Sequence, residues 1–268
     1  MMRLWELFRG DSPLIIDVPH AGTHLPDAIA FRLTENARRV PDTDWHVDKL
    51  YAFARAADAT MLVATHSRYV VDLNRDPSGA ALYPNADNTE LCPTRTFAND
   101  AIYPEGEEPS GDEIAARRSV FFDPYHASLA GEIERVRARH GYAILLDAHS
   151  IASEVPRFFA GRLPDLNLGT GHGATCAAQA QALATDVLAH AKPFTHVVNG
   201  RFTGGYVTRH YGRPGNDIHA LQLEMAQSAY MDEAAPFRYD PARAAPLIGV
   251  LERLVIALSE WRPTAHKR

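Results

Sequence analysis

The sequence predicts a single α/β domain of three layers (α/β/α), in which a mostly parallel, mixed sheet lies between helices. Two short, unbroken apolar runs, Leu14–Val18 and Tyr142–Leu146, are typical of strands buried on both faces, as in parallel sheets. Such runs alternate along the chain with segments of helical composition. The chain has 268 residues, of which 46% are hydrophobic. It can therefore bury a large core, and we assign residues 1–268 to one domain.

Helix and strand signals follow the first buried run. Apolar positions between residues 44 and 58 form a helical stripe, with Asp42 or Thr43 as the predicted N-terminal cap. Residues 60–65 predict a second strand, and residues 68–75 follow so closely that we predict a paired or bent strand there.

The alternation continues through the second half of the chain. Residues 76–111 are rich in Pro, Gly, Asn and Asp, which predicts a long loop that covers the functional site. Residues 112–140 predict a helix interrupted before Pro124. After the second buried strand, the pattern predicts an irregular stretch at 151–172, a helix at 173–191, a strand at 194–199, a tight turn leading into a strand at 204–209, a strand at 218–225 and an amphipathic helix at 241–261.

Composition excludes several classes of protein. A net charge of −6 without a basic block argues against a nucleic-acid partner. The first residues lack the layout of a signal peptide, and no apolar run has transmembrane length, so we expect a cytoplasmic protein without a membrane partner. Cys92 and Cys176 are too few for a disulfide framework or a zinc ribbon, and we interpret them as ordinary core or surface residues. No pattern in the sequence indicates the oligomeric state.

Each buried strand leads to a histidine, His20 after the first and His149 after the second. In open α/β sheets, ligands bind outside the carboxyl ends of the strands. With one acidic residue from the stretch 42–48, the two histidines supply the three ligands of a catalytic zinc site, which keeps a fourth position for water. A lone histidine is more often a loop residue satisfied by hydrogen bonds, but the repeated pattern favours ligation. Asp17 and Asp147 are either partners that fix the histidine tautomers or solvated carboxylates.

A second group, Arg68, Asn74 and Arg75, is expected beside the metal on the same sheet edge. Guanidinium groups bind carboxylates through two parallel hydrogen bonds, so this group favours a small anionic substrate. The alternative is a surface salt bridge from Arg75 to Asp72 or Asp76.

A third group lies in the last part of the chain. Glu224 is flanked by apolar residues, so it is either paired in the core or acts as a base near the metal, because burial raises the pKa of a carboxylate. The Gly204-Gly205-Tyr206 turn and Arg209 offer close backbone approach and another contact for an anion.

As a set, these motifs resemble one family, the N-formylglutamate deformylases, which are amidohydrolases of histidine degradation. The resemblance spans about residues 14–226, and its motifs occur in order: VPHAG (18–22), DTD (42–44), SRYVVDLNR (67–75), LDAHS (146–150), GGYVTRHYG (204–212) and HALQLEM (219–225). It implies hydrolysis of N-formyl-L-glutamate to L-glutamate and formate with one divalent metal, for which Zn²⁺ is the expected ion.

The resemblance also implies a fold similar to that of the zinc carboxypeptidases. Their pattern places a glutamate ligand three residues after the first histidine, where this chain has Thr23. We therefore predict that the acidic ligand comes from elsewhere, and we choose Asp44 over Asp48. Asp44 lies at the start of its predicted helix, near the strand ends, whereas Asp48 lies a turn further in.

These assignments lead to a hypothesis of metal-assisted amide hydrolysis with His20, Asp44 and His149 as metal ligands. Glu224 takes a proton from water and returns it to the leaving amine, and Arg68 stabilises the tetrahedral oxyanion. The residues predicted to bind the substrate are Asn74, Arg75, Tyr206 and Arg209. Two other functions stay open: a related metallohydrolase for another N-acyl amino acid or a carboxy-terminal peptide bond, and a non-catalytic binder of acidic amino acids that needs no metal.

Overall fold

The computed structural model describes residues 3–82 and 86–263. Within these ranges, seven strands form one sheet: β1 (Trp5–Phe8), β2 (Leu14–Val18), β3 (Thr60–Ala64), β4 (Ala143–Ile151), β5 (Leu166–Gly169), β6 (His196–Val198) and β7 (Ile218–Ala226). Their order across the sheet is β1-β3-β2-β4-β7-β5-β6. The β1–β3 and β5–β7 pairs are antiparallel, and the other neighbouring pairs are parallel. The prediction of a mostly parallel, mixed sheet is confirmed.

The described helices are α1 (Asp27–Ala30), α2 (Val47–Leu50), α3 (Gly111–Arg117), α4 (Asp123–His140), α5 (Ala178–Ala189), α6 (Tyr206–Tyr211) and α7 (Pro241–Glu260). A π-helical turn, Arg118–Phe122, joins α3 to α4. The hydrogen-bond pattern therefore changes just before Pro124, which lacks a backbone N–H. Among these helices, none combines the length and the apolar character needed to cross a membrane.

Side-chain alternation along β2 explains the three layers. Leu14, Ile16 and Val18 point into an apolar core that α5 and α7 help to close. Ile15 points into a second core, on the other face of the sheet, that α4 closes. Both faces of the strand are buried, as the unbroken apolar run predicts. The three-layer α/β/α prediction is confirmed.

Two local predictions in the first half of the chain were wrong. Residues 68–75 form turns instead of a strand, and the N–H of Asp72 donates to the carbonyl of Leu91. The helix predicted for residues 44–58 is reduced to α2 and a 3₁₀ turn, and no side-chain hydrogen bond caps α2. The physical reason is tertiary, because the polar residues on both segments are held by hydrogen bonds to the strand ends.

Other differences concern short elements. β5 lies inside the stretch 151–172, where we predicted no regular structure, and β1 was not predicted. Both strands have four residues, which is too short for a clear periodicity. Residues 206–209 begin α6 instead of a strand. There the N–H of Val207 donates to Oδ1 of Asn74 (2.7 Å), so a distant side chain overrides the strand preference of a β-branched residue.

The central strand extends past the predicted run. β4 continues to Ile151 and pairs with β7 along its whole length, so His149 lies inside the strand. In this parallel register His149 is opposite Glu224, and Asp147 is opposite Gln222. The pairing therefore places the functional groups of two distant motifs side by side.

His126, on α4, makes the free energy of unfolding depend on pH. It is buried, and its Nε2 lies 2.9 Å from the carbonyl oxygen of Leu73. Burial lowers the pKa of His126 from 6.5 to about 4. The imidazole of His126 therefore binds a proton more tightly in the unfolded chain than in the folded one. The stability that neutral His126 contributes is complete above pH 6.5 and is lost as the pH falls toward 4. In a His126→Gln variant we expect the acid-induced loss of unfolding free energy between pH 6.5 and 4 to shrink by up to about 3 kcal/mol.

Urea unfolding at a series of pH values measures this effect. His190→Gln removes an exposed imidazole at the end of α5 and should reproduce the wild-type pH dependence. Equal pH dependence in wild type and His126→Gln would contradict the expectation.

Candidate active site

His20 is the first member of the site. It follows β2 by two residues and is buried. Its Nε2 lies 2.8 Å from Oδ1 of Asp72. Its Nδ1 lies 3.7 Å from Oδ2 of Asp44 and has no hydrogen-bond partner within residues 3–82 and 86–263. An acceptor at Nε2 holds the ring proton there and turns the lone pair of Nδ1 toward Asp44.

His149 has a matching arrangement. Its Nε2 lies 2.7 Å from Oδ1 of Asp147, and its Nδ1 lies 2.9 Å from Oδ2 of Asp44. Burial lowers the pKa of His149, but the carboxylates of Asp147 and Asp44 outweigh burial and raise it well above its usual value. Asp147 is thus a partner of a histidine ring, as one of the two alternatives proposed. Asp17 is buried as well, and it accepts a hydrogen bond from Tyr125.

Asp44 joins the two histidines. Its N–H donates to the carbonyl of His20 (3.1 Å), and its Oδ2 accepts from the N–H of Ser150 (3.1 Å). Burial raises the pKa of Asp44, but hydrogen bonds and charge from His149 and His20 outweigh burial and lower it. Asp48 is exposed on α2, so the structure brings Asp44, and not Asp48, to the histidines.

The three groups fit a single divalent metal. One donor atom from each of His20, Asp44 and His149 lies within 4.8 Å of the other two. Nδ1 of His20 and Oδ1 of Asp44 are buried, and neither has a hydrogen-bond partner in the described part of the chain. Leaving such atoms unsatisfied costs free energy, which a cation would recover. Two imidazoles and one carboxylate are also a donor set of catalytic zinc sites.

Arg68 contacts two aspartates of the cluster. Its NH2 donates to Oδ2 of Asp72 (2.6 Å), and its NH1 lies 3.6 Å from Oδ1 of Asp44. Burial raises the pKa of Asp72, but the charges of Arg68 and Arg75 outweigh burial and hold that pKa well below its usual range. Asp72 therefore stays ionised and bridges Arg68 to His20. The sequence indicated Asp72 only as a salt-bridge partner of Arg75, and NH2 of Arg75 does lie 3.9 Å from Oδ2 of Asp72.

Asn74 and Arg75 lie just after Asp72 in the sequence, and contacts with distant residues hold both side chains in place. The Asn74 side chain accepts from Val207 and donates to Oδ2 of Asp147 (3.3 Å). Gly205 packs so closely on this amide that a Cβ there would overlap it, so the glycine is required by close approach. Arg75 donates through Nε to Oγ1 of Thr89 (2.9 Å) and through NH1 to the carbonyl of Asn74 (2.9 Å).

Glu224 stands beside His149 on β7. Burial raises the pKa of Glu224 to about 8. Its Oε2 accepts from Nε2 of Gln222 (3.2 Å), and Oε1 of Gln222 accepts from the N–H of Gly205 (2.6 Å). Gln222 was not among the predicted site residues, although residues two apart on a strand share a face and this one precedes Glu224 by two.

These groups line one cleft that opens to solvent. Seven of the nine predicted site residues line it: His20, Asp44, Arg68, Asn74, Arg75, His149 and Glu224. Part of the loop predicted to cover the site lines it as well, through Leu82, residues 87–89 and Phe97. The lining residues that no sequence motif indicated include Phe158, Arg201 and Phe202, which come from irregular segments.

The other two predicted substrate-binding residues lie elsewhere. Within the described ranges, Tyr206 and Arg209 do not line this cleft, and both belong to a neighbouring surface depression. Arg209 donates to the carbonyl of Leu82 (2.7 Å) and to the hydroxyl of Thr203 (2.9 Å). The helix α6 replaces the predicted strand, and this changes which residues of the segment share a face.

Two histidines and an aspartate near the carboxyl ends of strands in a three-layer α/β/α sheet, beside a buried glutamate, are the groups that metal-assisted hydrolysis uses. Residues 12–231 match the family model described as N-formylglutamate amidohydrolase. The chain belongs to the N-formylglutamate amidohydrolase family, as the resemblance predicted.

Known relatives agree with this membership. The N-formylglutamate deformylase of Pseudomonas putida is 45% identical over 268 residues, which is 100% of both chains. That of Pseudomonas aeruginosa PAO1 is 47% identical over 253 residues, 94% of this chain and 95% of the relative. The crystal structure of N-formylglutamate amidohydrolase from Ralstonia eutropha JMP134 has a TM-score of 0.81 at 26% identity and covers 97% of this chain and 98% of that chain. A gene product of Agrobacterium tumefaciens shares the fold, with a TM-score of 0.72 at 16% identity over 96% of each chain.

The contact between Asp72 and His20 leads to a test of the metal site. We expect Asp72→Asn to weaken Zn²⁺ binding about ten- to a hundredfold, because the loss of the ionised partner leaves the His20 ring less basic and less well oriented. Competition with a coloured chelator measures the affinity. Asp186→Asn, at an exposed aspartate on α5, should bind Zn²⁺ like the wild type, and unchanged affinity in Asp72→Asn would refute the role of this carboxylate.

Proposed function

We propose that this protein hydrolyses N-formyl-L-glutamate to L-glutamate and formate. The observation that carries the proposal is the convergence of His20, Asp44 and His149 within 4.8 Å of one another in the cleft that Glu224 also lines. Membership in the N-formylglutamate amidohydrolase family and the names of the full-length relatives support the same substrate.

The proposed cofactor is one divalent metal, with Zn²⁺ as the ion, held by His20, Asp44 and His149. When bound, it would polarise the formyl carbonyl and make a water molecule a stronger acid. The contacts of the two rings with Asp72 and Asp147 keep both Nδ1 atoms turned toward Asp44. The cytoplasmic location stays a prediction.

Glu224 is the proposed general base and acid. Burial raises its pKa to about 8, so its carboxylate is a stronger base than a solvated one and can exchange protons near neutral pH. It takes a proton from the water that attacks the formyl carbon. The same carboxyl then donates this proton to the nitrogen as the C–N bond breaks. Formate keeps the oxygen of the water, and L-glutamate leaves with the amine.

Arg68 is the proposed oxyanion stabiliser, and Asn74 with Arg75 the proposed site for a substrate carboxylate. The contacts of Arg68 with Asp72 and Asp44 fix its guanidinium before substrate binds, so little reorganisation is needed when charge develops. Arg75 is oriented by Thr89 and by the Asn74 carbonyl. A guanidinium held in one orientation suits a planar carboxylate.

The direct test measures formate release and metal content of the purified protein. We expect hydrolysis of N-formyl-L-glutamate, followed through the amino acid released, to exceed that of acetyl-glutamate, acetyl-aspartate and formyl-methionine, and we expect a chelator to abolish it. Preference for one of the other amides would point to a different N-acyl substrate, and metal-free protein that binds glutamate without turnover would point to a binder.

A Glu224→Gln variant tests the base. The amide keeps the shape of the side chain but cannot take the proton, so we expect kcat to fall about a hundred- to ten-thousandfold while metal content is unchanged. Glu252→Gln, at an exposed glutamate on α7, serves as the control and should keep wild-type activity. Full activity in metal-loaded Glu224→Gln would reject the assignment.

A further inference from the structure

Asp44 differs from the two histidines of the proposed metal site in the backbone that carries it. His149 lies on β4, and His20 follows β2 by two residues. Asp44 instead lies in an irregular stretch, residues 41–46, just before α2. The helix α2 has only four residues, and no side-chain hydrogen bond caps it. The position of the Asp44 carboxylate therefore depends on contacts with distant segments.

Two side chains from one such segment hold the backbone on both sides of Asp44. A 3₁₀ turn that begins at Gln227 follows β7, and Tyr230 comes directly after this turn. Nε2 of Gln227 donates to the carbonyl of Thr43 (2.9 Å). The hydroxyl of Tyr230 lies 2.8 Å from the carbonyl oxygen of Trp45. Since these two carbonyls belong to the residues before and after Asp44, the segment is held from both directions.

Ser150 extends these contacts to the Asp44 carboxylate. Its Oγ lies 2.7 Å from the hydroxyl of Tyr230 and 3.4 Å from Nε2 of Gln227. A carbonyl oxygen only accepts, so the Tyr230 proton goes to Trp45, and the Ser150 hydroxyl donates to the Tyr230 oxygen. The N–H of Ser150 donates to Oδ2 of Asp44 (3.1 Å). One hydrogen-bonded network therefore fixes both the backbone beside Asp44 and its carboxylate.

Tyr230 and Gln227 act at a distance from the substrate. Both are buried, and among the described residues neither lines the cleft that contains the metal cluster. Gln227 follows Glu224 by three residues, so its bond to the Asp44 segment also joins that segment to the end of the strand that bears the proposed base. Hydrogen bonds of this kind hold metal ligands in one geometry.

We propose that Tyr230 and Gln227 are positioning residues that hold Asp44 in place as the acidic ligand of the metal, an inference that rests on the proposed function. Each bond to a carbonyl beside Asp44 restricts the rotation of that peptide unit. The carboxylate then faces Nδ1 of His149 (2.9 Å) and Nδ1 of His20 (3.7 Å) before a cation binds. Less conformational freedom is lost on binding, so the affinity for the cation is higher.

Removal of either bond tests the proposal. We expect Tyr230→Phe and Gln227→Met each to weaken Zn²⁺ binding about ten- to a hundredfold, as measured by competition with a coloured chelator. The Trp45 ring stacks on Phe237, with ring centroids 5.1 Å apart, so the segment stays docked when one polar group is lost. Urea unfolding of each metal-free variant measures its free energy of unfolding and shows that it is folded.

Tyr142→Phe is the matched control. Tyr142 is buried, and its hydroxyl donates to the carbonyl of Trp261 (2.8 Å). The control therefore also loses one bond from a buried hydroxyl to a carbonyl, with a similar loss of unfolding free energy. Because Tyr142 precedes β4, at the end of the strand away from His149, this variant should bind Zn²⁺ like the wild type.

Wild-type affinity in either folded variant would overturn the positioning role of that residue. An affinity loss in Tyr142→Phe as large as that in Tyr230→Phe would overturn the proposal as a whole, because general destabilisation would then explain both. Failure of the wild type to bind Zn²⁺ would reject the metal site and this inference together. A zinc-loaded wild type that does not hydrolyse N-formyl-L-glutamate would instead reject the proposed substrate, while the affinities still decide the role of Tyr230 and Gln227.

Discussion

The parallel pairing of β4 with β7 is the constraint on which the site depends. The two strands pair over nine residues each, and their register sets His149 beside Glu224 and Asp147 beside Gln222. Because side chains alternate along a strand, these four groups share one face. A shift of one residue would turn them into the opposite layer. Both faces of these strands are packed, so the apolar core fixes the register and, through it, the chemistry.

The polar network around this pair is buried and nearly balanced in charge. Arg68 neutralises Asp72, and the imidazoles lie between Asp44 and the two outer aspartates. Asp17 is opposite Asp147 in the sheet, and burial, together with the charge of Asp147, raises its pKa well above its usual value. Protonation of Asp17 would relieve both the cost of its burial and its repulsion by Asp147, which is why its pKa is raised. Buried charge of this kind contributes more to function than to stability.

Prediction from sequence worked best where a signal was local and repeated. The buried strands and the histidines that end them were recognisable because apolar runs with polar ends have few other interpretations. The turns at residues 68–75 and the helix α6 were not, because Asp72, Asn74 and Val207 make hydrogen bonds to distant groups that override local preference. The role of Asp72 was hidden for the same reason, since its partner His20 is 52 residues away.

The sequence by itself determined the layered fold, the two histidines, Glu224 and the family, since burial patterns and ordered motifs are properties of the chain. Tertiary structure alone decided which loop side chains reach the cleft. It brought Asp44 to His149, 105 residues away, and Arg201 to Phe158, and it turned Arg209 toward Leu82. The physical reason is that a loop side chain takes its direction from contacts with remote segments, which no local pattern records.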